Sequence, residues 1–528
     1  MSGPLLLRGG TVLDGTGADA VRADVLISDG WVRAIGAALP VSHATVVDVS
    51  DLFVTPGFVD LHSHHDFTLA AWPAADALLT QGVTTVLTGN CGFSPFPVGP
   101  AGPEELQAQA AFMADDLAWD WTGAASFRTA LEAARPAVNV ALQVGHHAVR
   151  TAVLGPVDRP PSPDELAQMV ALVDAAAGEG VFGFSTGLIY APGRFAEPDE
   201  LIALASAAAR HDLLYSTHIR DETSGVVGAV TEAVSVARES GVRVQVSHVK
   251  AMGAAAQGSM PTLLGLLAAA RAEGLDVAAD AYPFTASSTT LASRLPGWAV
   301  DGGAAGLLVR LGDVSASAAI ERELAARMPA EVDPAGIVIA GLPPGALSWA
   351  RGLTVAAVAE RLDISPAAAV LALLAAHEAT VAIINHSMTV ADVSMALADP
   401  FVAVASDGSV VRPAATSGAE LPHPRNFATS TTFLGAFVRD AGLLPWPEAV
   451  RKLTGLPAAR VGVTDRGVLR AGAVADVAVW DPATVGPRST YADPWQLSVG
   501  VEHVLVDGEF ALRDGVVTGV RAGRVLRK

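Results

Sequence analysis

The 528-residue chain has very little cysteine and is short of basic side chains. Cys91 is the only cysteine, so no disulfide can form within the chain. Lys and Arg number 34 against 54 Asp and Glu, the net charge is -20, and no run of basic residues occurs. Such a chain is not suited to nucleic acid or to an anionic membrane, and we expect neither as a partner.

Long apolar stretches and an export signal are missing as well. Residues 1–8 lack a basic region followed by the about 7–15 apolar residues of a signal peptide. The stretch richest in Ala and Leu, residues 365–376, is shorter than the roughly 20 residues that span a bilayer. The mean hydropathy of +0.40 therefore reflects alanine-rich helices. We expect a cytoplasmic protein, and the sequence gives no prediction of its oligomeric state.

The two ends of the chain differ from its middle. Both ends contain short apolar runs separated by tight turn signals, among them Asp29-Gly30 and Asp507-Gly508. The termini of a domain usually lie close together. We therefore predict that residues 1–55 and 465–528 build one small β-sandwich.

Residues 56–464 alternate short apolar runs with helical Ala/Leu/Glu segments, which predicts an α/β fold with a TIM-like (β/α)8 barrel. Nine runs compete for eight strand positions: 58–62, 83–90, 138–145, 181–186, 213–218, 242–248, 277–281, 381–385 and 402–407. We assign 381–385 as the surplus run. The rhythm breaks over about 288–352, which predicts an inserted subdomain that could cover the site.

Side chains that can bind a metal follow five of these runs. They are His62 with His64, Cys91, His218, His248 and Asp407. Residues two apart share one face of a strand, and the carboxyl ends of barrel strands meet at one rim. Taken singly, Cys91 could be a small buried hydrophobe and Asp407-Gly408 a turn. Six such side chains at strand ends argue against coincidence and predict a metal site.

The donor set favours catalytic zinc. Zinc bound by Cys91, His218 and His248 would keep a fourth position open for water. The cation lowers the pKa of that water toward ~7 and polarises a carbonyl group. Asp407 is the candidate general base that takes the proton and returns it to the leaving nitrogen. A second and weaker metal could bind the remaining donors, His62 and His64, together with Cys91 and Asp407.

Longer motifs surround these side chains and extend over essentially the full chain. The most specific is Gly89-Asn90-Cys91-Gly92-Phe93-Ser94, and the others occupy residues 55–64, 82–85, 145–146, 183–193, 217–222, 247–250, 280–284, 406–408, 423–425, 465–467 and 472–476. In these motifs the chain resembles the amidohydrolase superfamily, and within it the N-acyl-D-amino-acid deacylase (D-aminoacylase) family.

The resemblance implies a barrel with a small sandwich and a tight zinc held by Cys91, His218 and His248. It further implies a second metal position at His62 and His64, with Asp407 as general base. For the substrate, it implies that the α-carboxylate is held by Lys250, Tyr282 and Arg425, and Tyr190 is a further predicted substrate contact. A guanidinium and an ammonium suit a free carboxylate, although both could instead be solvated loop charges.

The predicted activity is zinc-dependent hydrolysis of the linear amide bond of N-acyl-D-amino acids, with a small-molecule substrate as the partner. The D-preference comes only with the family. Alternatives are a related N-acyl or dipeptide substrate, or the ring-opening chemistry of hydantoinases and dihydropyrimidinases. Those cyclic amidohydrolases usually carry a carboxylated lysine on the fourth strand, and residues 183–186 contain no lysine. A non-catalytic protein on a decayed barrel would lack a ligand or a base, and none is missing.

Two departures from the family pattern lie beyond Asp407. The segment from Asp407 to Arg425 is long and includes residues 411–413 and 414–418. Residues 428–432 read Ala-Thr-Ser-Thr-Thr where the family usually has Gly-Thr-Phe-Pro-Arg. These changes bear on the choice of substrate and leave the metal ligands untouched.

Overall fold

The computed structural model of the chain describes residues 3–40, 43–113, 117–411 and 421–528. Its central sheet has eight parallel strands, each paired with the next along the chain. In chain order these barrel strands are Phe58–Asp60, Val83–Thr88, Asn139–Gly145, Gly183–Gly187, Leu214–His218, Arg243–Val246, Val277–Ala281 and Val402–Val404. Nearly all their residues are buried, as expected for strands covered by helices. The predicted barrel is confirmed, and the run at 381–385 is not one of its strands.

The first and last barrel strands are joined just beyond their carboxyl ends. The backbone N–H of Asp407 donates to the carbonyl oxygen of His62 at 2.8 Å. The N–H of His64 donates to the carbonyl oxygen of Gly408, also at 2.8 Å. These two bonds complete the ring of strands. They also place the side chains of His62, His64 and Asp407 side by side.

Helices between the strands have clear local start and stop signals. Helix Pro163–Gly178 begins after Ser162, which exchanges hydrogen bonds with Glu165 in a capping box. Helix Val226–Ser240 ends at Gly241, whose φ of 70° suits glycine. The α-helices associated with the barrel are Asp76–Leu79, Glu104–Ala110, Ala124–Ala134, His146–Val153, Pro163–Gly178, Pro198–Arg210, Val226–Ser240, Met260–Ala272, Val390–Ala398, Arg425–Thr432, Trp446–Leu453 and Gly455–Val461, and Phe433–Asp440 is a π-helix.

Both chain ends contribute to one nine-stranded sheet, as the sequence predicts. Its strands are Leu5–Val12, Val21–Ser28, Trp31–Gly36, Thr45–Asp48, Phe53–Pro56, Val477–Trp480, Val501–Val506, Glu509–Arg513 and Val516–Val517. Strand Phe53–Pro56 pairs antiparallel with Val477–Trp480 and so joins the two ends. The first strand pairs with Thr45–Asp48 along one half and with Phe53–Pro56 along the other. The sheet surrounds a buried apolar core that includes Leu7 and Val25.

The inserted subdomain is larger than the range 288–352 that the sequence predicts. Its three antiparallel strands are Ala286–Thr290, Ile337–Gly341 and Ala382–His386, and the last of these lies in the middle. The surplus run at 381–385 therefore belongs to this sheet, because it pairs with both of the other strands. The subdomain has its own apolar core and the helices Gly303–Gly312, Val314–Arg327, Val355–Leu362 and Pro366–Ala376.

None of the helices in the described ranges is by itself long and apolar enough to cross a membrane. Only Gly303–Gly312 and Val314–Arg327 taken together meet that test of length and composition, and they are bent by 105° at their junction.

Candidate metal centre

The six donors predicted from the sequence converge at the rim formed by the carboxyl ends of the barrel strands, and all six are buried. Cys91 Sγ lies 3.3 Å from His62 Nε2 and 3.4 Å from His248 Nε2. Asp407 Oδ1 lies 3.4 Å from His62 Nε2 and 3.2 Å from His64 Nε2. The ring centroid of His218 is 4.3 Å from that of His248. The structure therefore brings together side chains from five strand ends.

Three of these donors have left-handed backbone conformations. The φ angles are 54° at Cys91, 35° at His248 and 52° at Asp407. Non-glycine residues adopt this region rarely, and they remain there only when surrounding contacts hold them. The N–H of His248 is held by Asp280 Oδ1 at 2.7 Å, and the N–H of Asp407 by the carbonyl oxygen of His62. The backbone therefore turns sharply at each of these three donors.

The chemistry of the buried donors fits a bound metal. Among the described residues, Nδ1 of His218 and Nδ1 of His64 have no hydrogen-bond partner. Buried polar atoms nearly always have a partner, so these nitrogens require one. Imidazole nitrogen and thiolate sulfur are ligands that zinc accepts readily.

Two overlapping groups of donors are close enough to share an ion. In each group one ligand atom per residue lies within 4.8 Å of every other. The first group is His62, Cys91, His248 and Asp407, and the second is His218, Glu222 and His248. The rim can therefore hold a metal ion, and the groups overlap at His248.

Two donors are held in their anionic forms. Burial raises the pKa of the Cys91 thiol, but His62 and His248 outweigh it and bring that pKa well below its usual range. Burial likewise raises the pKa of Asp407. Arg425 and His248 lower that pKa by more than burial raises it, so it too ends well below its usual range. A thiolate and a carboxylate thus face each other across the imidazole rings, which favours a cation between them.

Arg425 lies beside Asp407, with Nη1 donating to Oδ2 at 2.7 Å. Nη2 of Arg425 donates to the carbonyl oxygen of Ser288 at 3.2 Å. The guanidinium carbon is 5.6 Å from the ring centroid of Tyr282. The Tyr282 hydroxyl is buried and has no hydrogen-bond partner within the described ranges. The predicted Arg425 and Tyr282 pair therefore lies next to the metal donors.

A cleft of about 570 Å³ opens onto the centre. Its barrel side includes His64, Cys91, His248, Asp407 and Arg425, and its opposite side includes residues 340–344 of the inserted subdomain. Tyr190 also lines the cleft, with its ring centroid 5.0 Å from that of His218 and its hydroxyl 2.8 Å from Thr289 Oγ1. The subdomain thus forms a wall of the site, as expected for the predicted cover.

Lys250 lies between His248 and Tyr282, with Nζ 5.6 Å from the Tyr282 ring centroid. Its Nζ is 2.7 Å from His248 Nδ1 and also donates to Glu222 Oε1. The side chain is buried behind the His248 ring, on the side away from Cys91. Its assignment to a substrate carboxylate stays a prediction.

Sequence reasoning gave no role to Glu222 or Asp280, yet both contact the donors. Asp280 Oδ1 lies 3.1 Å from His62 Nδ1. Glu222 Oε1 lies 3.4 Å from His218 Nε2 and 3.4 Å from His248 Nδ1. Both belong to motifs quoted above. The signal that could have found them is an acidic residue near the carboxyl end of a buried strand, since Asp280 lies within strand Val277–Ala281 and Glu222 comes four residues after strand Leu214–His218.

The departures beyond Asp407 divide into two parts. Residues 412–418 lie outside the described ranges. The stretch 428–432 is buried in the helix that begins with Arg425, and Thr429 Oγ1 donates to the Arg425 carbonyl oxygen at 2.9 Å. This stretch therefore supports the backbone of Arg425.

Comparison with known proteins agrees with this site. A profile of the amidohydrolase family matches residues 45–511. The D-aminoacylase of Alcaligenes xylosoxydans xylosoxydans is 34% identical over 524 residues, covering 99% of this chain and 97% of that protein. The N-acyl-D-glutamate deacylase of the same organism is 35% identical over 529 residues, covering 99% and 96%.

Solved structures extend the likeness to three dimensions. The N-acyl-D-glutamate deacylase of Bordetella bronchiseptica, complexed with zinc and a phosphonate inhibitor, superposes with a TM-score of 0.82 at 33% identity over 99% of both chains. A D-aminoacylase structure gives 0.84 at 34% identity with the same coverage. A dihydropyrimidinase from Brevibacillus agri shares the fold alone, at 0.57 and 15% identity. The chain therefore belongs to the amidohydrolase family and, within it, stands with the D-aminoacylases.

Proposed function

We propose that the protein hydrolyses the amide bond of N-acyl-D-amino acids, with one tightly bound zinc and a possible second, weaker metal position. The observation that carries this proposal is the meeting of Cys91, the histidines and Asp407 beside Arg425 in one cleft. The thiolate and imidazole donors support zinc. The D-preference rests on the relatives, which are named as deacylases of D-amino acids.

Asp407 is the proposed general base. The zinc, when bound, supplies Lewis acidity and lowers the pKa of a water ligand. Oδ2 of Asp407 is engaged by Arg425, which leaves Oδ1, facing His62 and His64, to accept the proton of the attacking water. The same carboxyl group then returns that proton to the amide nitrogen as the amino acid leaves.

Arg425 and Tyr282 are the proposed ligands of the substrate's α-carboxylate. The guanidinium is planar and offers several donors, so it can bind a substrate carboxylate while one nitrogen remains on Asp407. The unpartnered Tyr282 hydroxyl can donate to the same group. Binding the carboxylate here brings the neighbouring amide bond close to Asp407. Tyr190 is the proposed contact on the wall beside His218.

A substrate panel tests the activity. Zinc-loaded protein is incubated with matched N-acyl-D- and N-acyl-L-amino acids, and free amino acid is measured. We expect release from the D-compounds. Hydantoin and dihydrouracil serve as cyclic controls, since the fourth barrel strand, Gly183–Gly187, carries no lysine for a carboxylated bridge. Faster opening of these rings than release from every linear amide would contradict the proposal.

Removing the thiolate tests the metal assignment. We expect Cys91→Ala to lose the tight zinc and the activity together, because one soft ligand disappears from a small donor set. Elemental analysis of purified wild type should give about one zinc per chain. Full zinc content in the variant would show that Cys91 is not a ligand.

A further inference from the structure

The Glu222 carboxylate closes off the back of the metal centre. One of its oxygens, Oε1, meets three groups at once. These are His218 Nε2 at 3.4 Å, His248 Nδ1 at 3.4 Å, and the ammonium group of Lys250. The side chain is 4% exposed, so these contacts take the place of solvent. Glu222 thus contacts two of the three predicted tight ligands, His218 and His248.

The two nitrogens of His248 have different surroundings. Nε2 faces Cys91 Sγ at 3.4 Å, and Nδ1 faces Glu222 and Lys250. A neutral imidazole carries one ring proton, and the nitrogen that binds a metal must be the one without it. The Lys250 ammonium is the nearer partner of Nδ1 at 2.7 Å and can only donate, so these contacts restrain the ring without fixing where its proton lies. They hold the ring with Nε2 toward Cys91, where it can bind a metal.

The same arrangement occurs on the other side of Cys91. Asp280 Oδ1 lies 3.1 Å from His62 Nδ1, while His62 Nε2 lies 3.3 Å from Cys91 Sγ. Two rings thus present Nε2 to the thiolate and Nδ1 to a buried carboxylate. Such outer partners orient metal-binding imidazoles and fix their tautomers.

Lys250 gives Glu222 its charge balance. A buried carboxylate is costly unless it is paired and hydrogen-bonded. The Lys250 ammonium donates to Glu222 Oε1, and both side chains are buried. This contact restrains the carboxylate in the position from which it meets both imidazoles.

We propose that Glu222 is a positioning residue for the metal centre, which holds the rings of His218 and His248, the latter together with Lys250, in the orientation that binds zinc. The inference rests on the proposed function, but its test measures metal affinity without substrate. Failure of the positioning role is therefore distinguishable from failure of the deacylase activity. The competing role, direct ligation by Glu222, is open to the same test.

The test compares zinc affinity in wild type and Glu222→Gln by competition with a chelator. Loss of an outer partner typically weakens metal binding about 10–100-fold, and we expect a loss in that range at unchanged circular dichroism of the metal-free protein. Glu232→Gln is the matched control. Glu232 pairs with Arg220 at 2.9 Å and lies on the helix that follows Glu222. Affinity within twofold of wild type in Glu222→Gln would overturn the proposal.

Cobalt substitution separates positioning from ligation. Cobalt bound by Cys91 gives a thiolate charge-transfer band, and its d–d bands report the ligand set. We expect both to persist in cobalt-saturated Glu222→Gln. Altered d–d bands with a retained thiolate band would assign Glu222 as a ligand and overturn the positioning role.

A second variant covers the case in which Glu222→Gln does not fold. Glu222→Asp keeps the charge but withdraws the carboxylate by one methylene, which is about 1.5 Å. We expect a smaller loss of zinc affinity than in the glutamine variant. Unchanged affinity in Glu222→Asp, measured on folded protein, would also overturn the proposal.

Discussion

Asp407 illustrates how neighbours decide the role of a single side chain. Its Ser-Asp-Gly setting and its φ of 52° are those of a turn residue. In the folded chain its carboxylate is buried and meets His62, His64 and Arg425. Burial raises its pKa, but Arg425 and the imidazoles outweigh this and hold it well below its usual range, so the carboxylate is ionised at neutral pH.

The general base is tested by Asp407→Asn. Asparagine also suits the turn, so the fold and the tight zinc should remain, whereas proton transfer is lost. General acid–base catalysis contributes about 10²–10⁴ in rate, and we expect kcat to fall by at least about 100-fold. Zinc content and kcat are measured on the same preparation. A zinc-loaded variant with near wild-type kcat would remove Asp407 from the mechanism.

Arg425→Ala tests recognition of the substrate carboxylate. Loss of one partner from a buried charged pair costs about 2–5 kcal/mol. The variant also deprives Asp407 of its cation, which should slow every substrate alike. We therefore compare kcat/KM for N-acyl-D-amino acids with that for the matching amides. The acids should lose roughly 30-fold more than the amides, and equal losses would contradict the assignment.

At the scale of elements, the sequence predicts features that depend on residues close together in the chain and misses those that depend on residues far apart. The two-residue spacing of His62 and His64 and the polar residue after each apolar run are local, and they located all six donors. The central strand Ala382–His386 of the inserted sheet is not local, because its partners lie about 45 and 95 residues away in the chain. The roles of Glu222 and Asp280 depend on which rings they meet in space, and no spacing encodes that.

The helix Trp446–Leu453 contains a buried lysine, Lys452, which predicts that the stability of the protein depends on pH. The Lys452 ammonium is buried and donates to the carbonyl oxygen of Asp399. Burial lowers its pKa from 10.5 to about 8. Between these values the unfolded chain binds more protons, so this lysine makes the free energy of unfolding rise with pH. Below pH 8 the lysine is charged in both states, and the folded protein bears the full cost of burying that charge.

Lys452→Met should remove that dependence. We expect the Tm difference, variant minus wild type, to be largest near pH 7 and to shrink as pH rises toward 10. The pH-dependent part is on the order of 2–3 kcal/mol. Thermal unfolding is followed at matched ionic strength. A Tm difference that stays constant with pH would refute this account.

At the scale of the whole molecule, the two ends of the chain pair with each other, and the C-terminal residues bind to the third barrel strand. Strand Phe53–Pro56 pairs with Val477–Trp480 across more than 400 residues. The last residues then run beside the third barrel strand, where Val140 N–H donates to the Arg524 carbonyl oxygen at 2.8 Å and Leu526 N–H donates to the Val140 carbonyl oxygen at 2.7 Å. The tail thus extends the central sheet on the side away from the metal donors.

Removing residues 521–528 should destabilise the barrel without changing the metal site. The deletion removes four backbone hydrogen bonds that join the tail to the rest of the chain, and at roughly 1 kcal/mol each we expect a loss of about 4 kcal/mol. Zinc content and kcat at 25 °C should stay near wild type. Deleting Lys528 alone is the control, since it removes only one of these four bonds, from its N–H to the Gly180 carbonyl oxygen, and a solvent-exposed contact with Asp212 that contributes little. An unchanged Tm after the longer deletion would show that the tail is dispensable.

The hydrogen bonds that join the first and last barrel strands link the proposed general base to the closure of the barrel. The donors of those bonds are the amides of Asp407 and His64. Neither amide can exchange with deuterated solvent until the seam between these strands opens. The rate of amide exchange at these two positions therefore reports how often the contact between the first and last barrel strands opens. Because these bonds join the residues that carry the His62, His64 and Asp407 side chains, opening the seam would also separate those side chains.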